Sequence, residues 1–277
     1  MIHPSKIIKE LGLAPLKSFG QNFQVDTQII AKWAEKFSPA EGVIEIGPGL
    51  GAWTEVFYKH GNPLWLIEKD RALVERLRTL YKDDSSVRIT ENDVLETDFF
   101  PMAQAGFKNI IGNLPFYITS EILLKVIQRE TWIEKALLGI QYEVAERIVS
   151  ARGSSLAIAL NLHGKITLCG KISRQSFYPV PNVDVGLIYF ERSEAPERPY
   201  MRTLLKAAFW GKRKKLKTAM LQNPFFNEAI ESKNWVESIK TCDNPKILEL
   251  FDKRADALSV SDFALIYDWL NPNSSHS

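Results

Sequence analysis

The sequence predicts an α/β fold, a doubly wound sheet followed by a small all-helical domain. Short apolar, β-branched runs alternate with helical stripes along most of the chain. One run, V-I-E-I-G-P-G-L-G at residues 43–51, enters a glycine turn as a parallel strand does. Beyond S-E-A-P-E-R-P at residues 193–199, a linker by its Pro and charge content, only helical patterns follow.

The elements follow in order. Val25, Ile29, Ile30, Trp33 and Phe37 share one helical face that ends at Ser38-Pro39. Residues 43–46 form a strand, and residues 64–67 a second one ending at Glu68. Leu73, Val74, Leu77, Leu80 and Tyr81 make the next helical stripe, followed by a short strand at 87–90. The apolar run into I-I-G-N-L-P-F-Y-I, at 110–118, precedes a helix capped by Thr119 or Ser120 that reaches about Gln128, with Glu121 early in it. Residues 136–140 and 185–190 read as strands, and a helical domain spans Tyr200 to about Leu270. The expected domains are therefore 1–193 and 200–277, with a frayed end after Leu270.

Gly47, Gly49 and Gly51 permit φ > 0 and let a ligand approach the backbone, with a helix N-terminus behind them. Their spacing is G-x-G-x-G. The dinucleotide fingerprint G-x-G-x-x-G needs glycine at position 52, which is Ala52. Glu68 stands at the tip of the next strand, seventeen residues after Gly51, where a carboxylate accepts both ribose hydroxyls of an adenosine cofactor. Asp93, in T-E-N-D-V-L, is placed to accept from the adenine amino group. Each acid alone is an ordinary solvated strand end. The glycine turn, Glu68, Asp93 and Asn113 at the ends of four successive strands belong on one sheet edge, where open α/β folds bind ligands.

Asn113, Leu114, Pro115 and Phe116 are a tool for an exocyclic amine on a planar base. Asn113 offers a side-chain carbonyl, Leu114 a backbone carbonyl, and Pro115 a stiff turn without a donor. Phe116 supplies a face for stacking. Two acceptors that draw the N–H bonds out of plane aim the nitrogen lone pair at an electrophilic methyl, with no strong base required. The bland alternative is a Pro-containing turn with core aromatics.

Taken together, these residues resemble the ribosomal RNA adenine dimethyltransferases, across nearly the whole chain. The resemblance runs through K-S-F-G-Q-N-F at 17–23, E-I-G-P-G-L-G at 45–51, Glu68, N-D-V-L at 92–95 and N-L-P-F at 113–116. It continues through Q-Y-E-V-A-E-R-I at 141–148 and S-F-Y-P-V-P-N-V-D at 176–184. A-A-F-W-G-K-R-K-K-L-K-T-A-M-L at 207–221 and R-A-D-A-L-S-V-S-D-F at 254–263 are similar to the tail of the small-subunit branch.

The resemblance implies a Rossmann-like methyltransferase sheet of seven strands with a final antiparallel pair. It implies S-adenosylmethionine as cofactor, held by Asn22, Gln24 (through its backbone), Gly47, Gly49, Glu68, Asp93 and Asn113. Phe177 resembles the aromatic that faces Phe116 across a flipped adenine. The implied reaction is dimethylation of two adjacent adenosines near the end of small-subunit ribosomal RNA. Phe116 replaces the family's Tyr, keeping the ring and losing the hydroxyl. Gln24 replaces a Leu, and Val185 and Gly186 depart from the pattern without evident consequence.

A net charge of +2 does not by itself indicate nucleic-acid binding. Its distribution does more, since Lys212, Arg213, Lys214, Lys215 and Lys217 cluster after Phe209 and Trp210. A charge run is usually a solvated face; within the matched tail it is expected to contact the RNA of the pre-ribosomal small subunit. Cys169 and Cys242 lack C-x-x-C spacing, which suggests a reducing compartment, and the four scattered histidines have no metal-ligand spacing. No signal peptide or membrane span is legible, so a cytoplasmic monomer without a metal is expected. A nucleotide-dependent oxidoreductase is disfavoured by Ala52 and by the lack of a hydride-transfer acid. A non-catalytic RNA-binding assembly factor is disfavoured by the intact N-L-P-F.

Overall fold

Strands that are apolar on both faces are stable only when both faces are covered, and the central runs of this chain are of that kind. The computed structural model of the protein describes residues 3–10, 12, 22–194, 198–211, 213–224 and 233–272. Its strands are β1 (Phe23–Gln24), β2 (Gly42–Ile46), β3 (Leu64–Glu68), β4 (Val87–Glu91), β5 (Phe107–Asn113), β6 (Lys135–Gln141), β7 (Gly164–Ile172), β8 (Phe177–Tyr178) and β9 (Val185–Arg192).

Among the described residues, seven strands form one sheet in the order β4-β3-β2-β5-β6-β9-β7, and β1 pairs with β8. Strands β4 to β6 along this order are mutually parallel, and β9 runs antiparallel to β6. Val43, Ile44, Leu64, Leu66, Ile110, Ile111, Leu137 and Leu138 are fully buried in it. Each such side chain contributes about 1.5–3 kcal/mol by leaving water.

Chain order moves outward from β2 through β3 to β4, then returns to place β5 on the other side of β2. That reversal leaves a crevice at the carboxyl ends of β2 and β5. The helices beside the sheet are α1 (Pro4–Glu10), α2 (Gln28–Ala34), α3 (Ala52–His60), α4 (Arg71–Leu80), α5 (Phe100–Gln104), α6 (Thr119–Leu123) and α7 (Tyr142–Val149). Helix α4 shows why they form where they do. Asp70 caps it by accepting from the N–H groups of Ala72 and Leu73, and Leu73, Val74 and Leu77 are its buried face. Leu80, expected on that stripe, is the last residue of the helix and is 53% exposed.

Two local expectations change. The helix expected from Val25 to Phe37 is shortened to α2, because Phe23 and Gln24 pair with Tyr178 and Phe177 as strands. Neither Thr119 nor Ser120 caps the helix after β5. Ile118 holds the cap position, and the Thr119 hydroxyl donates to the Pro115 carbonyl at 2.9 Å. Helix α6 then widens into a π-helical segment, Leu124–Arg129.

The chain divides into two compact units. The first comprises residues 1–146 and 165–192, and the second residues 147–164 and 193–277. The second unit thus takes in α8 (Ser155–Asn161), a segment that precedes β7 in the chain. Its other helices are α9 (Met201–Trp210), α10 (Leu216–Leu221), α11 (Lys233–Lys240), α12 (Pro245–Asp252) and α13 (Val260–Leu270). Asn244 caps α12, and Ser259 with Asp262 forms a reciprocal capping box on α13. Trp235, Phe251, Phe263, Ile266 and Tyr267 are buried between these helices.

Candidate active site

A cavity opens at the crevice between the carboxyl ends of β2 and β5, lined by the turn after β2, Glu68, Asp93, Asn22, Gln24 and residues 113–118. Thus the glycine turn, both acids and N-L-P-F, which the sequence distributes over some seventy residues, face one space.

The turn is left-handed at Gly47 (φ 64°) and Gly49 (φ 58°), a conformation that favours glycine. The Gly47 N–H donates to the Ile67 carbonyl at 2.9 Å, fixing the turn to β3. A side chain at Gly49 would also stand 3.1 Å from the Phe23 ring.

Glu68 is buried, and its carboxylate receives three backbone N–H groups: Gly49 at 3.0 Å, Lys69 at 2.9 Å and Asp70 at 2.9 Å. Burial raises its pKa above the usual carboxylate range, opposed by those three donors. Glu45 lies in the adjacent strand, also buried, with the Thr54 hydroxyl donating to it at 2.6 Å. Burial pushes its carboxyl up to about 8, and the neighbouring Glu68 adds to the rise. Glu45 also lines the cavity, a role not assigned to it from the sequence.

Asp93 accepts from the Leu95 N–H at 2.8 Å and from the Lys69 ammonium at 2.7 Å. The Lys69 bond holds its pKa below the usual range. The loop after it is fastened from a distance: Lys125, on the π-helical segment, donates to the carbonyls of Leu95 (3.1 Å) and Thr97 (2.6 Å). Its ammonium lies 4.9 Å from the centre of the Phe99 ring, and burial lowers its pKa. Lys125 is the second residue of that π-helical segment, whose wider turn periodicity does not signal.

Asn113 ends β5 opposite Gly139 of β6. Its Oδ1 is buried and has no hydrogen-bond partner among the described residues. The Leu114 N–H donates to the Gly139 carbonyl at 2.8 Å, while the Leu114 carbonyl receives no donor among the described residues. Pro115 accepts from Ile118 and Thr119, closing the turn. Phe116 and Tyr117 line the cavity, Phe116 half-buried and Tyr117 56% exposed. Two unsatisfied acceptors beside an aromatic face suit an amine on a planar base.

Other predicted residues are placed differently. Gln24 lines the cavity, but its side chain is committed elsewhere, accepting from the Trp53 indole N–H at 2.8 Å and donating to the Asp26 carbonyl at 2.5 Å. Phe177 is 2% exposed and sits in the core cluster with Ile30, Phe37 and Trp53, outside the cavity lining. The pairing of β8 with β1 turns its ring inward and leaves the next residue, Tyr178, 37% exposed. Phe116 packs against the same cluster from the cavity side. Residues 17–21 and Lys212 lie outside the described residues. Arg213 and Lys215 are exposed and Lys214 and Lys217 half-buried, all in the second unit.

Strand order, glycine turn and strand-end acids define a Rossmann-like methyltransferase. The structure of a dimethyladenosine transferase from Plasmodium falciparum aligns with a TM-score of 0.72 and 25% identity, covering 88% of this chain and 95% of that one. The 23S rRNA methyltransferase ErmE shares the fold, with a TM-score of 0.67 at 20% identity, over 90% of this chain and 100% of that one. The chain belongs to the ribosomal RNA adenine dimethylase family, whose sequence model matches residues 15–255.

Ribosomal RNA small subunit methyltransferase A of Latilactobacillus sakei is 32% identical over 282 residues, covering 96% of this chain and 93% of the relative. Its namesake from Prosthecochloris aestuarii is 28% identical over 273 residues, covering 95% and 97%. The protein is therefore an rRNA adenine dimethyltransferase, and family and fold imply a methyl donor of the S-adenosylmethionine type. Among the described residues, no helix is long and apolar enough to cross a membrane, and no cluster of three metal-ligating side chains occurs.

Proposed function

We propose that the protein dimethylates the N6 amino groups of two adjacent adenosines near the 3′ end of small-subunit ribosomal RNA, using S-adenosylmethionine, during small-subunit assembly in the cytoplasm. The single observation that carries this reading is the pair of acceptors without a partner among the described residues, Asn113 Oδ1 and the Leu114 carbonyl, beside Phe116. S-adenosylmethionine supplies the electrophilic methyl when bound. Glu68 accepts from the ribose hydroxyls, Asp93 from the adenine amine, and Gly47, Gly49, Asn22 and the Gln24 backbone complete that side of the cavity.

The target adenosine leaves its stack and lies against Phe116. Asn113 and the Leu114 carbonyl accept its N–H bonds, which turns the nitrogen lone pair out of the ring plane. The proton departs after transfer, once the nitrogen has become acidic, so positioning supplies most of the rate. Phe177 belongs to the core cluster against which Phe116 packs, a positioning role in place of direct stacking. The basic run at 212–217 contacts RNA phosphates.

Methyl transfer should be measured on small-subunit particles, naked small-subunit RNA and large-subunit RNA. Two adjacent dimethyladenosines in small-subunit RNA are expected. Transfer to large-subunit RNA alone would overturn the assignment.

A further inference from the structure

Helix α9 buries Met201, Leu204, Leu205, Ala207 and Ala208, which leaves its other side facing outward. That side carries Arg202, Lys206 and Trp210 at i, i+4 and i+8, all exposed. At 1.5 Å per residue the stripe is about 12 Å long.

A solitary exposed aromatic needs no explanation. Trp210, 43% exposed, is part of an arrangement. The Lys214 ammonium stands 4.7 Å from its ring centroid and is held there by donating to Gln222 Oε1 at 2.7 Å. The surrounding charge is also unbalanced. Lys215 and Lys253 are neutralised by Asp252 (2.5 Å) and Glu249 (2.7 Å). Arg202, Lys206, Arg213 and Lys217 have no ion-pair partner among the described residues. A flat ring with a fixed cation, bordered by unneutralised cations, matches a polyanion that carries flat bases.

We propose that the outer edge of α9 is a docking surface for a single-stranded segment of ribosomal RNA, resting on the function proposed above. An unpaired base stacks on Trp210, and Arg202 and Lys206 bind the adjoining phosphates. The nucleotide is unpaired because a base within a duplex has no free face to offer a side chain. The contact tolerates any base, since every base has a π-face, so it adds affinity and register without reading sequence.

The test uses the full chain and the variants Trp210→Ala, Trp210→Phe and Arg202→Gln/Lys206→Gln. Affinity for naked small-subunit RNA and for small-subunit particles is measured across a salt series. S-adenosylhomocysteine affinity and the transfer rate at saturating RNA are measured alongside. Trp210→Ala should raise the Kd for both RNA substrates at least about fivefold, and Trp210→Phe should restore most of it. The double variant should flatten the dependence of log Kd on log salt by about 1–2. S-adenosylhomocysteine affinity and the saturating rate should not move. An unchanged Kd in Trp210→Ala overturns the proposal, as does a loss confined to protein-containing particles, which would make the partner a protein. Absence of small-subunit methylation by the unmodified chain would overturn the proposed function instead, with the RNA-affinity comparison still readable.

Discussion

The Glu68 carboxylate receives the amide N–H of Gly49 at 3.0 Å across nineteen residues of chain. This bond ties the strand-end acid to the glycine turn, so the two halves of the proposed donor site form a single unit. With Lys69 and Asp70 also donating to it, Glu68 organises the backbone as well as facing the cavity.

Glu68→Ala should therefore lower both S-adenosylhomocysteine affinity and thermal stability. Hydrogen bonds to a charged group are worth about 1.5–3 kcal/mol each, and the variant strands three backbone donors beside the cavity. Glu68→Gln keeps one acceptor oxygen and should fall between the two proteins in unfolding temperature. Wild-type affinity by calorimetry in Glu68→Ala would remove this residue from the donor site.

Asn113→Ala should bind S-adenosylhomocysteine nearly normally and unfold near the wild-type temperature, because the lost Oδ1 has no partner to strand. Single-turnover transfer should drop at least tenfold. Gly139→Ala approaches the same atom from behind, since a Cβ there would stand 2.6 Å from Asn113 Oδ1. It should slow transfer in proportion to the displacement of Asn113. A normal transfer rate in Asn113→Ala would exclude the acceptor role.

The two phenylalanines should now separate. Phe177→Ala, in the core, should destabilise by about 3–5 kcal/mol in denaturant unfolding. Phe116→Leu should stay folded and lose transfer, while Phe116→Tyr retains it, because stacking is worth about 1–3 kcal/mol per base. A stable Phe116→Leu variant with a normal rate would leave Phe116 as packing alone.

Lys125→Met keeps the side-chain stem and removes the donor to the Leu95 and Thr97 carbonyls. Loosening the loop behind Asp93 should lower S-adenosylhomocysteine affinity roughly fivefold, about 1 kcal/mol. The penalty should shrink for an analogue lacking the adenine 6-amino group, which makes no bond to Asp93. Equal losses for both ligands would show that Lys125 does not act through Asp93.

Glu45 adds a pH dependence. Its folded pKa of about 8 lies above the ordinary carboxylate value, so the folded state holds the proton more tightly than the unfolded chain. Its contribution is fully present below about pH 4.5 and is lost as pH rises through 8. Glu45→Gln keeps an acceptor for Thr54 and removes the ionisation, so it should flatten the stability profile between those values. A slope as steep as in the unmodified protein would show that Glu45 is not its source.

Continuous apolar runs and period-3.6 stripes placed most strands and helices because burial acts on each element locally. Residues 43–46, 64–67, 136–140 and 185–190 are strands, and the glycine turn and strand-end positions of Glu68, Asp93 and Asn113 were legible from spacing. That these strand ends share one sheet edge was expected from the rule for ligand crevices in open sheets, while the order that puts β2 between β3 and β5 belongs to the assembled sheet. Long-range contacts lay beyond that reach. Gln24 spends its side chain on Trp53, and Phe177 turns inward, because two-residue strands from distant segments pair. Lys125, at the start of a π-helical segment, reaches the carbonyls of Leu95 and Thr97, some thirty residues earlier in the chain. Each depends on which partner arrives from elsewhere in the chain, a property of the assembled packing that no local pattern encodes.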